Sequence, residues 1–170
     1  MVDAFVFMLR NKALGAWRLV LAGGAAPPAE AYFAELKAKS RNFPITLMPN
    51  IAYDELVDLY SRASLYWHAG GFGSEKPAGM EHFGISVVEA MSAGCIPFVY
   101  NGGGLPEIVQ EGVDGYLWNT IEDLVKKTSN FVAHEEKSSG TAERAKKRAK
   151  QFDSSIFVNA FDRLLVKISK

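Results

Sequence analysis

Residues Gly79–Gly94 read GMEHFGISVVEAMSAG, and the run Ile96–Tyr100 that follows reads IPFVY. The first has the small and apolar residues of a buried helix. The second is a short, wholly apolar strand, the kind that is covered on both faces. The first stretch nevertheless holds two carboxylates, Glu81 and Glu89. Glu89 sits among Ile85, Val87, Val88, Ala90 and Met91. A carboxylate buried without partners costs several kcal/mol unless it takes up a proton. Glu89 therefore needs water, a basic partner or the hydroxyls of a ligand, or it lies on a narrow polar stripe with Ser86 and Ser92. A ribose diol offers two donors to such a group. Glu81 stands just before the helix, where negative charge suits the positive helix end.

Outward from this unit the same alternation continues. Val2, Phe5, Val6 and Leu9 recur at helical spacing and predict an opening helix. Trp17–Gly24, Phe43–Pro49, Ser64–Gly70 and Gly115–Trp118 predict further strands, and the segments 27–40 and 52–63 predict helices. Strands that are nearly all apolar, alternating with helices, predict an α/β fold: a Rossmann-like parallel sheet with helices on both faces. The charged stretch 134–152 predicts a solvated helix broken near Ser138–Gly140. Residues 154–168 predict an amphipathic helix with a serine cap before Ile156. The expected organisation is a single domain over 1–170, with the helices from about 121 onward packing back on it.

Composition excludes several classes. Nineteen basic residues balance nineteen acidic ones, which argues against a nucleic-acid binder. One cysteine, Cys95, rules out an intramolecular disulfide and fits a reducing, cytoplasmic location. No stretch approaches the ~20 apolar residues of a membrane span. Three glycine-rich loops fall after strands: Gly23-Gly24, Gly70–Gly79 and Gly102–Gly104. Ligands of open α/β sheets bind at such strand ends, where free backbone amides favour phosphate. Neither a G-x-G-x-x-G after a strand nor a Walker lysine motif is present, which disfavours an ordinary dinucleotide or NTPase site. His68, at a strand end, is a further candidate; His134 is read as exposed.

The stretch EHFGISVVEAMSAGCIPFVYNGGGLPEIVQEGVDGYLW resembles the C-terminal, donor-binding domain of family-four retaining glycosyltransferases of the GT-B fold. The shared features are Glu81 and Glu89 with seven residues between them, EAM-x-A-G, a strand, G-G-x-x-E-I-V and G-Y-L, with WRLVLAGG and DELVDLYSRA matching in order. The EHFGI variant is similar to the mannosyltransferase branch that extends lipid-linked oligosaccharide. The resemblance implies transfer of a hexose, mannose among the candidates, from a GDP- or UDP-sugar with retention and without a metal cofactor. It implies that Glu81 is catalytic, contacting sugar hydroxyls, and that Glu89 holds the ribose. The amides of Phe83, Gly84, Ile85 and Ser86 would face the sugar and diphosphate. Met48 and Asn50 would border the base, His82 would help position the donor, and Gly103 would shape the cleft.

Two departures from that family are expected to matter. The N-terminal acceptor-binding domain has no counterpart, nor has the first strand of the donor domain with its phosphate-gripping Arg and Lys; Lys76 is the one cation near enough in sequence to substitute. That strand would lie between those at Trp17–Ala22 and Leu65–His68, so these two must close up, a further chain must supply it, or the opening helix must rearrange. The expected partners are a nucleotide sugar and a separate acceptor domain or chain, with no nucleic acid. Homo-oligomerisation and peripheral membrane association of the full enzyme are further options. The alternatives are a non-catalytic interaction module and a nucleotide-sugar epimerase.

Overall fold

The computed structural model of the chain describes residues 1–25, 27, 29–134 and 140–168. The predicted alternation is present, and the parallel strands are flanked by helices. The described residues group into two compact units.

The first unit comprises Met1–Arg62 and Trp118–Ser139. It holds α1 (Val2–Arg10), β1 (Leu19–Gly23), α2 (Glu30–Ser40), β2 (Ile45–Pro49), α3 (Tyr53–Arg62) and α6 (Ile121–Ala133). β1 and β2 are parallel, with Leu19 opposite Ile45 and Gly23 opposite Pro49. α1 packs on α2 and α6. Val2, Ala4, Phe5 and Met8 bury the inner face of α1, and Leu124 and Phe131 bury that of α6. α6 starts at Thr120, whose hydroxyl accepts the Asp123 amide at 3.2 Å, satisfying an otherwise unpaired first-turn donor.

The second unit comprises Ala63–Leu117 and Gly140–Lys170. It contains β3 (Leu65–His68), α4 (Ile85–Ala93), β4 (Ile96–Tyr100), α5 (Leu105–Ile108), α7 (Thr141–Ala149) and α8 (Ser154–Ile168). β3 and β4 are parallel, with Leu65 opposite Ile96, and β5 (Tyr116–Trp118) follows β4 in the order of that sheet. Val87, Met91, Val99, Leu105, Ile108 and Val109 form the core with Ala145 and Ala149 of α7. All of β4 from Ile96 to Val99 is buried, as its unbroken apolar run predicts.

Three features differ from the sequence-based expectations. β1 and β3 belong to different sheets, so these strands do not close up into one ladder, and Val2–Arg10 stays helical. α7 is more than a solvated charged helix: Thr141, Ala145 and Ala149, four residues apart, give a small-residue face that lets α4 approach closely. Its arginines hold backbone carbonyls. Arg144 donates to Val113 at 2.6 Å, and Arg148 donates to Ile108 at 2.9 Å and to Glu107. The helix break near Ser138 lies outside the described residues, but Gly140 is described and begins α7 with φ +88°. Finally, α8 is capped by Asp153, whose carboxylate accepts the Ser155 amide at 2.8 Å, rather than by a serine. None of the α8 side chains is buried, and Phe157, Phe161, Leu164, Leu165 and Ile168 form an open apolar stripe.

Candidate functional site

The site grows from the entrance of α4, within the second unit. α4 begins at Gly84, in a left-handed conformation with φ +94°. A Cβ there would stand 2.7 Å from Leu105 Cδ2 and close to Val87, so glycine is required on both conformational and steric grounds. This tight entry leaves the amides of Ile85 and Ser86 without an acceptor among the described residues, at the positive end of the helix. Val87, Ala90 and Met91 are buried on the opposite face. Ile85, Ser86, Glu89 and Ser92 line the open face, Glu89 being half-buried there. The polar-stripe placement of Glu89 is therefore the observed one.

Glu81 is held from two sides by glycines. The Gly104 amide donates to the Glu81 carbonyl at 2.9 Å. A Cβ on Gly103 would lie 2.1 Å from the Glu81 carbonyl oxygen, and one on Gly104 would lie 2.0 Å from that of His82. On the other side, a Cβ on Gly71 would meet Met80 Cα at 3.2 Å and the Glu81 nitrogen at 3.3 Å. The 81–82 backbone thus sits between two loops that only glycines can form at this distance. The side chain of Glu81 remains 34% exposed. One of its oxygens, Oε1, accepts the Phe83 amide at 3.3 Å.

Around this point His82 and Phe83 are exposed, and the Phe83 ring meets Phe152 edge-on with centroids 5.8 Å apart. Phe72 and Tyr100 form a second edge-on pair at 5.4 Å beside the Gly102 turn. The structure thus brings together Glu81, His82, Phe83, Gly84, Ile85, Ser86, Glu89 and Gly103. Met48 and Asn50 belong to the first unit. Asn50, with φ +53°, accepts the Ala25 amide on its side chain at 2.9 Å and donates its own amide to Gly23 at 2.9 Å, tying the ends of β1 and β2. Lys76 is exposed at the start of a short turn. Three participants were not singled out by the sequence: Gly70, Gly71 and Gly104. Only their position in glycine-rich loops pointed toward them.

Burial of the His68 imidazole lowers its pKa, with the nearby Glu81 charge acting in the opposite direction. No cluster of three or more metal-ligating side chains occurs among the described residues.

Comparison with known proteins gives a consistent result. The family model described as "Glycosyl transferases group 1" matches residues 4–151. A Dictyostelium discoideum protein named GDP-Man:Man(3)GlcNAc(2)-PP-Dol alpha-1,2-mannosyltransferase is 33% identical over 150 residues, covering 85% of this chain and 28% of that protein. The mouse protein of the same name is 29% identical over 141 residues, covering 78% of this chain and 27% of the relative. Among solved structures, Anabaena Alr3699/HepE in complex with UDP and glucose superimposes with a TM-score of 0.79 at 21% identity, over 98% of this chain and 43% of that one. The chain therefore spans under a third of these curated relatives. The structural match establishes the α/β fold seen in the C-terminal half of two-domain sugar transferases.

Proposed function

The chain belongs to the glycosyl transferases group 1 family, and on that footing we propose that it binds the donor for a retaining glycosyltransferase, a nucleoside diphosphate hexose. The observation that carries this reading is the glycine-clamped Glu81 at the entrance of α4, with open helix-end amides beside it and Glu89 one turn into the helix. Oriented amides at a helix start stabilise diphosphate and the charge that develops as it leaves. In this proposal Glu81 receives sugar hydroxyls, the amides of Ile85 and Ser86 face the diphosphate, and Glu89 accepts from the ribose diol. His82 and Phe83 border the donor, and Gly103 holds the loop that shapes the site. No metal is assigned a role in donor binding.

The mannosyltransferase relatives favour a GDP-linked mannose, and the HepE complex favours a UDP-linked glucose as the competing donor. Calorimetric titration with GDP-, UDP- and ADP-sugars decides between them. The proposal expects saturable binding of one donor and its loss in Glu89→Ala. Absence of binding by every donor, or unchanged affinity in that variant, overturns it.

We place acceptor recognition in a second domain or partner chain. The greater length of the relatives supports this, and so does the open apolar stripe of α8, which such a domain would cover. Light scattering tests that assignment. A stable homodimer that Phe161→Ser dissociates would mean that α8 pairs with a second copy, and would favour the interaction-module reading.

A further inference from the structure

His68 ends β3 with 13% of its side chain exposed, and its two ring nitrogens have different neighbours. The amide of Gly70 points at Nδ1 from 3.3 Å. An N–H cannot face another N–H, so Nδ1 carries the lone pair and the proton of the neutral ring sits on Nε2. Nε2 in turn faces Oε2 of Glu81 at 3.8 Å. Gly70 lies against both side chains: a Cβ there would lie 2.6 Å from His68 Cε1 and 3.4 Å from Glu81 Cβ, so only the missing side chain at this position leaves the imidazole its place. Because Oε1 already accepts the Phe83 amide, the two carboxylate oxygens have separate donors directed at them.

We propose that His68 is a positioning residue whose Nε2–H fixes the orientation of the Glu81 carboxylate before donor arrives. This rests on the assignment of Glu81 to the sugar. The neutral ring suits the role, because an imidazolium would have to give up the Gly70 bond. Burial favours that neutral form, and Glu81 is the charged group acting on the ring, with Tyr66 as its aromatic neighbour at 6.1 Å.

Two amide substitutions separate the hydrogen bond that the ring accepts from Gly70 from its 3.8 Å approach to Glu81. His68→Gln carries an N–H to the place of Nε2 and abandons the Gly70 amide. His68→Asn supplies an acceptor at the place of Nδ1 and abandons Glu81. Affinity is measured for the nucleotide sugar and for the nucleoside diphosphate alone. Positioning predicts that His68→Asn weakens nucleotide-sugar binding about 10-fold, as the loss of an outer-shell partner that orients a binding group commonly does, with diphosphate binding unchanged. His68→Gln stays near wild type. The reverse order, or equal losses for both ligands, overturns the proposal.

Imidazole 15N NMR of the full chain keeps this outcome distinct from a failure of the Glu81 assignment. The expected result is an Nε2–H tautomer whose pKa falls further in Glu81→Gln. An Nδ1–H tautomer, or no response to Glu81→Gln, sinks the positioning role even where donor binding holds. If the coupling is present but Glu81→Gln binds nucleotide sugar normally, it is the donor assignment that fails.

Discussion

Gly104 offers a clean perturbation of the proposed site. Its φ of −82° is open to any residue, so Gly104→Ala introduces no backbone strain of its own and acts through the added methyl group alone. That methyl would stand 2.0 Å from the His82 carbonyl oxygen and 2.9 Å from its carbon, whereas ordinary contact begins at 3.4 Å. The obstacle is backbone, so no side-chain rotation relieves it, and the 82–83 peptide must retreat by about 1 Å or more for contact to become ordinary. Overpacking of this kind costs about 1–3 kcal/mol. Stretching the Gly104–Glu81 bond adds about 1 kcal/mol, the usual net worth of a hydrogen bond. The expected total is about 2–4 kcal/mol, read as a lowered urea midpoint at unchanged slope. Because the displaced peptide adjoins Glu81 and supplies the Phe83 amide that its carboxylate accepts, nucleotide-sugar affinity should fall well beyond what that destabilisation explains. In the complete enzyme, a shift of about 1 Å at a reacting centre corresponds to a rate loss on the order of 100-fold. A Gly104→Ala protein with wild-type urea midpoint and wild-type donor affinity would refute the clamp.

Other expectations follow from burial and bonding. Met91→Ala, at a fully buried position, should cost about 2–5 kcal/mol in urea denaturation, while Phe161→Ser, 49% exposed on α8, should stay within about 0.5 kcal/mol. A large loss in the second would mean that α8 is covered in solution. Arg148→Met keeps the aliphatic stem but removes the donors to Ile108 and Glu107, and should cost about 1.5–3 kcal/mol; Arg148→Lys recovers only part, since one ammonium cannot reproduce the guanidinium fork. Burial pushes the Cys95 thiol up to about 11 from 9.0, so a thiol reagent at pH 8 should label the native chain far more slowly than the urea-unfolded one. The sign follows from the raised value: stability from burying the neutral thiol is complete below pH 9 and is lost as pH rises through 11. Equal labelling rates would show that the Cys95 pocket opens readily.

The alternation of helices and strands was readable directly, because runs such as Ile96–Val99 are apolar at every position and so announce a strand covered on both faces. The placement of Glu81 before α4 and Glu89 within it was readable for the same local reason: spacing along one helix is a property of the sequence. The weight of each glycine was not. Gly23 and Gly24 have open space where a Cβ would go, whereas Gly103 and Gly104 would strike the backbone of Glu81 and His82, yet all four look alike in sequence. Helical periodicity likewise marks an apolar face without saying what lies against it. The alanines of α7 found α4, and the stripe of α8 stayed open, although the second is far the more hydrophobic. So it is with His68, whose tautomer is set by the Gly70 amide and whose partner lies thirteen residues away. Sequence by itself determined the elements and the candidate acids, because these depend on neighbours along the chain. Tertiary structure alone decided which side chains those acids meet, because contacts between distant residues depend on how the chain returns, and steric exclusion acts only once it has.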